Sequence, residues 1–252
     1  MKSKRNFHRS TLYRVLYYLY SQAVYFFGYT PNRRNSIFIL PTGKTNDLSR
    51  IFEKYKTDKG GSGIHVHHNY DFIYSIFFFY RKSSTQAVLE IGIGTTNTSI
   101  RSSMGPNGVP GASLRAWREF FPNARVYGAD VDKEILFKED RIDCYFVDQE
   151  DPVTLKDLSL NLESQKILFD LIVDDGLHTL NAAKNTFLAL KNLLTTDGIY
   201  VIEDVPFRKW GDYAKVFKVT GYETYFIRIG NPKSNRFSGD NSLIVLLKNS
   251  EV

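Results

Sequence analysis

The sequence predicts an α/β fold: a Rossmann-like, seven-stranded, mostly parallel sheet with helices on both faces, preceded by an N-terminal helical appendage. Seven apolar runs recur along the 252-residue chain, and helical patterns fill several of the intervals between them. Runs 169–174 and 198–203 are almost continuously apolar, as in strands that are covered on both faces. Only a polar stretch, 230–241, separates the last two runs, which predicts an antiparallel C-terminal strand pair.

The elements follow one another in a regular order. A helical pattern over 47–55 and an aromatic helix that ends near residue 80 precede the first strand. Helices are then expected between strands, because parallel neighbours need a long crossover connection. The predicted strands are 87–91, 125–130, 143–147, 169–174, 198–203, 224–229 and 243–247. The predicted helices among them are 113–121, 152–162, 181–194 and 213–219.

The positive charge of the chain is concentrated near its N-terminus. The sequence has 33 basic and 27 acidic residues and a net charge of +6. Residues 1–46 hold eight of the bases and no acid, which leaves 25 bases against 27 acids, a net charge of −2, in the remainder. The remainder therefore lacks the excess of positive charge typical of nucleic-acid-binding domains, and no nucleic-acid partner is expected.

Residues 1–46 are predicted to form a basic, aromatic helical segment that is distinct from one domain over 47–252. Residues 12–27 carry apolar side chains at helical spacing, with many tyrosines. The uncharged run 15–31 is short for a membrane span, and no small-residue cleavage site of a secretory signal follows it. Two interpretations stay open: the helix packs on its own domain or on a second subunit of a homo-oligomer, or residues 1–34 bind a membrane surface peripherally.

The cysteine content indicates the redox state of the compartment in which the protein is expected. Cys144 is the single cysteine of the sequence, so an internal disulfide and a cysteine-based zinc site are excluded. A reducing compartment fits this composition, and a cytoplasmic protein is expected. If residues 1–34 bind a membrane, the expected place is the inner membrane surface.

The first strand of the domain ends in an acid and two spaced glycines, Glu90, Gly92 and Gly94. Glycines at such a position let a ligand approach the backbone. The third glycine of a dinucleotide fingerprint is missing, and 95–110 is too long for the tight turn onto a helix that a pyrophosphate needs. Alone, the motif fits a nucleoside site or a structural turn equally well. Asp130 ends the next strand, where a carboxylate can accept both hydroxyls of a ribose, and this favours the nucleoside site.

Pairs of acids follow two later strands: Asp174 and Asp175, then Glu203 and Asp204. The carboxyl ends of parallel strands meet at one edge of a sheet, so these acids are expected to converge there. Carboxylates that converge in this way repel one another unless a cation lies between them, and oxygen ligands select Mg²⁺, Ca²⁺ or Mn²⁺. His178 lies three residues after Asp175 and is a candidate general base beside that cation.

Simpler roles for the same acids stay open. The first pair can cap the helix that begins near His178, and the second pair can form ion pairs with Arg208 or Lys209. Upstream, His65, His67 and His68 have no matching cluster of ligands elsewhere, so a loop contact with substrate or a partner is expected there rather than zinc.

Seven short segments carry a family resemblance. They are TDKG (57–60), VLEIGIG (88–94), GASLRAW (111–117), YGAD (127–130), DQ (148–149), DDGLH (174–178) and YVIED (200–204). In this order they resemble the class I S-adenosylmethionine-dependent methyltransferases, over roughly residues 50–205. Within that class the chain is similar to the metal-dependent sugar O-methyltransferases of the mycinamicin and macrocin type and to bacterial surface-polysaccharide methyltransferases. It departs from them at Leu177 and Ala182, where the family often has serine and a second histidine.

The resemblance implies two cofactors, S-adenosyl-L-methionine and Mg²⁺ or another hard divalent cation. It implies that Asp175, Glu203 and Asp204 bind the metal and that His178 is the catalytic base. The implied cofactor-binding residues are Lys59, Glu90, Gly92, Gly94, Ser113, Asp130, Val131, Asp148, Gln149 and Asp174. The implied reaction is methylation of a sugar hydroxyl, in a nucleotide sugar or in a surface-polysaccharide or capsule saccharide.

Two other functions compete with this one. An NAD-dependent sugar-nucleotide epimerase or dehydrogenase is disfavoured by the missing third glycine and by the absence of a Tyr-x-x-x-Lys pair after the fourth strand. A non-catalytic, methyltransferase-like interaction module is disfavoured because the acids and the histidine of the metal and base set are all present.

Overall fold

The computed structural model describes residues 35–39, 41, 45–60, 68–230, 237 and 239–248. The predicted helix over 12–27 lies outside them. The helices of the described part are α1 (Asp47–Tyr55), α2 (Tyr70–Phe77), α3 (Ala112–Phe120), α4 (Pro152–Ser164), α5 (Leu180–Leu190) and α6 (Trp210–Phe217). The strands are β1 (Ser36–Ile39), β2 (Ala87–Ile91), β3 (Arg125–Asp130), β4 (Lys138–Glu139), β5 (Ile142–Phe146), β6 (Phe169–Asp174), β7 (Leu194–Ile202), β8 (Tyr222–Ile229) and β9 (Ser242–Lys248).

The strands form one sheet in the order β1-β8-β9-β7-β6-β2-β3-β5-β4. Strands β2, β3, β5, β6 and β7 pair in parallel, so their carboxyl ends lie at one edge. Strand β9 runs antiparallel to both β7 and β8. The predicted Rossmann-like sheet with an antiparallel C-terminal pair is therefore confirmed.

Two short strands extend the seven predicted ones. Strand β4 pairs antiparallel with β5 at one edge of the sheet. Strand β1 pairs in parallel with β8 at the other edge, and its Ile39 is buried. Because β1 precedes residue 47, the sheet includes a strand from the segment that the sequence assigned to the N-terminal appendage.

Helices cover both faces of the sheet, and each face has its own apolar core. Helices α1, α2 and α3 pack on one face through side chains such as Phe52, Tyr74 and Trp117. On the other face α4, α5 and α6 pack through side chains such as Leu158 and Phe187. Alternate residues of a central strand enter opposite cores, which explains the continuous apolar runs. Among the described helices, none has the length and apolar character needed to cross a membrane.

Candidate active site

A cavity of about 520 Å³ opens at the carboxyl edge of the parallel strands. Twelve of the fourteen predicted site residues line it: Lys59, Glu90, Gly92, Gly94, Ser113, Asp130, Val131, Asp148, Gln149, Asp175, His178 and Asp204. The other two, Asp174 and Glu203, are buried behind its wall. The structure thus brings side chains from five strand ends and from the loop after α1 around one space.

The glycines of the β2 end are required by the geometry of the backbone. Gly92 has φ +84°, and a Cβ atom there would lie 2.2 Å from the carbonyl oxygen of Asp175. Gly94 has φ +85°. Helix α3 begins only at Ala112, so no helix N-terminus directly follows the glycines to bind a pyrophosphate. This arrangement agrees with a nucleoside-type site and not with a dinucleotide turn.

Glu90 lies at the floor of the cavity, fully buried. Its Oε2 accepts a hydrogen bond from Trp117 Nε1 at 2.6 Å. Its Oε1 lies 3.2 Å from Lys59 Nζ but has no aligned hydrogen-bond donor in the described part of the chain. Burial raises the pKa of Glu90, and the charge of Lys59 partly offsets this. Ser113 also stabilises the charged carboxylate by hydrogen bonding. Oε1 thus faces the Lys59 ammonium without a hydrogen bond of good geometry from the described residues.

Asp130 shapes the loop that follows β2. Its two oxygens accept the backbone N–H groups of Ile93 at 2.8 Å and Asp132 at 2.9 Å. Burial raises the pKa of Asp130, and these backbone hydrogen bonds counteract the effect. Each carboxylate oxygen has a second lone pair. The side chain can therefore fix the loop and still accept ligand hydroxyls.

Gln149 braces the wall of the cavity between β5 and β6. Its Nε2 donates to Asp174 Oδ1 at 2.7 Å and to Thr186 Oγ1 at 2.8 Å, and its Oε1 accepts the N–H of Leu177 at 2.7 Å. Asp174 lies behind this amide, and burial raises its pKa to about 6. Asp174 therefore supports the wall through Gln149, and its predicted contact with the cofactor stays a prediction.

Asp175, His178 and Asp204 form a cluster of possible metal ligands, with ligating atoms within 4.8 Å of one another. Nε2 of His178 is 3.9 Å from Asp175 Oδ1 and 4.0 Å from Asp204 Oδ2. Burial and the charge of Asp175 raise the pKa of Asp204. His178 and Asp204 also have φ of +55° and +56°. Left-handed backbone is uncommon for residues with a side chain, although aspartate and histidine adopt it more often than most.

Lys59 places a positive charge among the acids of the site, and its side chain is 2% exposed. Its Nζ lies 2.5 Å from Asp175 Oδ2 and also contacts Glu203 Oε2. Desolvation opposes the charge of Lys59, but Asp175, Glu203 and Glu90 raise its pKa well above the usual value. Glu203 Oε1 accepts a hydrogen bond from Tyr74 at 2.5 Å. Both oxygens of this predicted metal ligand are thus engaged within the protein.

The simpler roles considered for the acids do not match the structure. Helix α5 is capped by Thr179, whose hydroxyl accepts the N–H of Ala182 at 3.3 Å. Glu203 contacts Lys59 and Tyr74. The acids therefore neither cap this helix nor pair with Arg208 or Lys209.

Three aromatic side chains of the site were not predicted. Tyr70 donates to Asp204 Oδ1 at 2.6 Å, and its ring stacks on His68 with centroids 4.8 Å apart. Tyr74 and Trp117 hold Glu203 and Glu90. The sequence contained one signal: Tyr70 and Tyr74 are four residues apart in α2 and so share a helix face. Aromatic residues at that spacing more often indicate only a packed core.

The chain is similar in sequence to known O-methyltransferases. No protein-family model matches the chain. Demethylmacrocin O-methyltransferase of Streptomyces fradiae is 33% identical over 169 residues, which is 67% of this chain and 39% of that protein. The 8-demethyl-8-alpha-L-rhamnosyl tetracenomycin-C 2'-O-methyltransferase of Streptomyces olivaceus is 29% identical over 163 residues, 65% of this chain and 39% of that protein. The chain thus spans about two fifths of the length of these relatives.

A solved structure agrees with the sequence relatives. It is the MycE methyltransferase from the mycinamycin biosynthetic pathway, in complex with Mg and SAH. The TM-score is 0.53 at 28% identity, over 69% of this chain and 40% of that one. The predicted resemblance is confirmed: the chain has the fold of the class I S-adenosylmethionine-dependent methyltransferases, and the relatives it resembles in sequence are sugar O-methyltransferases.

Proposed function

We propose that this chain is an S-adenosylmethionine-dependent O-methyltransferase whose acceptor is a sugar hydroxyl. The observation that carries the proposal is that the Asp175–His178–Asp204 cluster opens into the same cavity as Glu90 and Asp130. A site for a methyl donor and a site for deprotonating an alcohol are thus adjacent, as transfer between two bound molecules requires. The names of the relatives and the Mg and SAH in the MycE complex support this assignment.

The residues of the β2 and β3 ends fit the methyl donor. Glu90 Oε1, buried without an aligned donor, suits the charged amino group of the methionine part, with Ser113 beside it. The free lone pairs of Asp130 suit the ribose hydroxyls, next to Val131. Further along the cavity, Asp148 and Gln149 form the wall on the proposed adenine side.

Asp175 and Asp204 fit a hard divalent cation. Both present carboxylate oxygens to the cavity beside His178, at separations that one ion can bridge. Glu203, the third predicted ligand, can join them only by sharing with the metal an oxygen that Lys59 or Tyr74 contacts here. When bound, Mg²⁺ would supply Lewis-acid chemistry, which lowers the pKa of a coordinated hydroxyl.

The side chains then have separate tasks in the reaction. Nε2 of His178 accepts the proton of the acceptor hydroxyl, and the nearby charges of Asp175 and Asp204 stabilise the resulting imidazolium. Tyr70 holds Asp204 in place through its hydroxyl. The walls of the cavity align the oxygen with the methyl group, and most of the rate gain is expected from this orientation.

His178→Ala tests the proposed base. The variant is expected to lose at least about 100-fold of its methyl transfer, because the loss of a general base typically costs this much. Transfer is measured with labelled S-adenosylmethionine and a panel of nucleotide sugars and saccharides. The affinity for S-adenosylhomocysteine, measured by calorimetry, should stay within about threefold of the parent, since Glu90 and Asp130 are unchanged. Near-normal turnover of His178→Ala would exclude this residue as the base.

We further propose the finer features of the function. The acceptor is a nucleotide sugar or a surface-polysaccharide or capsule saccharide, since all of these carry hydroxyls that a bound metal can orient. Homo-oligomer formation, a cytoplasmic location and membrane association through residues 1–34 stay predictions from the sequence. Residues 1–34 lie outside the described part of the chain.

A further inference from the structure

A second cavity has a volume of about 380 Å³. It is lined by Pro206, Phe207, Arg208, Arg228, Gly239 and Asp240. Tyr70 links this cavity to the proposed metal site, since its hydroxyl contacts both Asp204 Oδ1, at 2.6 Å, and the carbonyl oxygen of Asp240, at 3.3 Å. In the sheet, β9 and β8 follow β7 on the side away from β2 and β3. Arg228 of β8 is therefore separated from the cofactor side of the sheet by β9, β7 and β6.

Arg228 is the distinctive side chain of this second cavity. Its guanidinium lies over the ring of Phe207, 4.5 Å from the centroid, and 5.7 Å from the ring of Phe237. Nη2 donates to the carbonyl oxygen of Phe237 at 3.2 Å. The Nε atom is buried and has no hydrogen-bond partner in the part of the chain that the structure describes. A buried guanidinium nitrogen without a hydrogen-bond partner costs free energy of folding unless a ligand supplies an acceptor.

The described residues that line the second cavity carry a net positive charge. Among the described residues that line it, Arg208 and Arg228 are basic and Asp240, which is exposed, is acidic. Burial lowers the pKa of Arg228, and no nearby carboxylate contributes to the shift among the described residues. The planar fork of an arginine matches the oxygens of a phosphate or carboxylate, and its stacking on Phe207 holds the fork in one orientation.

We propose that this second cavity binds an anionic group, a phosphate or a carboxylate, attached to the acceptor sugar. The proposal rests on the function proposed above and deepens it, because it names the acceptor class as a charged saccharide. The backbone of β8 lies two strand spacings, ~10 Å, from that of β7. A sugar with one hydroxyl at Asp204 can therefore extend an anionic substituent towards Arg228.

Anion titration tests this proposal without knowledge of the sugar. The full chain, depleted of metal, is titrated with sodium pyrophosphate and, separately, with sodium acetate, and binding is followed by NMR. At least one anion is expected to bind saturably, and Arg228→Gln should weaken that binding about tenfold or more, since charge-assisted hydrogen bonds are lost. Pyrophosphate binding indicates a phosphate-bearing acceptor, and acetate binding indicates a uronic acid. Arg50→Gln, an exposed arginine on α1, is the matched control and should bind as the parent does.

Two further variants distinguish a loss of anion binding from a folding defect in Arg228→Gln. Arg228→Lys keeps the positive charge but lacks the planar fork, and it should bind the anion with intermediate affinity. Arg208→Gln removes the second positive charge of the cavity. The proposal is overturned if neither anion binds the parent saturably, or if folded Arg228 and Arg208 variants bind both anions as the parent does. S-adenosylhomocysteine binding is measured on the same samples. Normal binding of that molecule without anion binding overturns only the acceptor class, whereas its absence overturns the proposed function itself.

Discussion

Lys59 joins the two halves of the candidate active site. Its ammonium touches Glu90 on the cofactor side and both Asp175 and Glu203 on the metal side. The family resemblance implied a cofactor contact here. The structure shows in addition a buried cation among three carboxylates, and such a group is costly to remove because its partners then lose their counter-charge.

Lys59→Met is therefore expected to destabilise the metal-free protein, by about 3–5 kcal/mol in the free energy of unfolding. Mg²⁺ should recover part of the loss, since a divalent cation supplies positive charge to the same acids. Urea unfolding in excess chelator and then in Mg²⁺ measures both effects. Lys54→Met removes an exposed partner of Glu119 and should change stability little. Equal stabilities of the two variants, or no gain from Mg²⁺ in Lys59→Met, would contradict this role.

At the scale of elements, the turn after β2 sets the shape of the cavity floor. The N–H of Asp175 donates to the carbonyl oxygen of Ile91 at 2.8 Å, so the ends of β2 and β6 stay in contact beyond the strands. Gly92 lies so close to the backbone of Asp175 that a Cβ atom on residue 92 would collide with it. The strand-end glycine is thus needed for strand packing as well as for ligand approach.

Gly92→Ala tests this close approach, with Gly221→Ala as its control. Both glycines have a positive φ, so each variant bears the cost of about 1–2 kcal/mol for a left-handed alanine. A Cβ atom at Gly221 meets no atom within 4 Å, whereas one at Gly92 collides with the backbone of Asp175. Gly92→Ala should therefore have the lower Tm and weaker binding of S-adenosylhomocysteine by calorimetry. Identical Tm values and affinities in the two variants would show that the packing at Gly92 is not required.

The sequence predicted those elements best whose pattern is continuous. Strands β2, β3 and β6 have the predicted bounds, because each is an apolar run of five or six residues. Strands β1 and β4 escaped prediction, since four and two residues are too few to show a period. Strand β7 begins at Leu194, the last residue of a predicted helix and four residues before the predicted strand. This extension was not predicted, because residues 194–197 have no strand-like alternation.

At the scale of the whole molecule, prediction of the site had a clear physical limit. Strand-end residues such as Asp130 and Asp175 could be placed together, because parallel topology alone brings the carboxyl ends to one edge. Contacts made across the chain were not predictable: Lys59 meets Asp175 and Glu203 over 116 and 144 residues, and Tyr70 meets Asp204 over 134. Such contacts depend on how α2 and the preceding loop pack on the sheet, which local sequence does not encode.

The most direct test of the proposed methyltransferase site is an anomalous diffraction map of crystals grown with Mn²⁺ and S-adenosylhomocysteine. Mn²⁺ replaces Mg²⁺ because it takes the same oxygen ligands and scatters anomalously. The expected result is one strong Mn²⁺ peak bonded to Asp175 and Asp204 beside His178, with the ribose of S-adenosylhomocysteine on Asp130 and its amino group on Glu90. A map with S-adenosylhomocysteine bound elsewhere, or with saturating Mn²⁺ absent from Asp175 and Asp204, would contradict the proposed site.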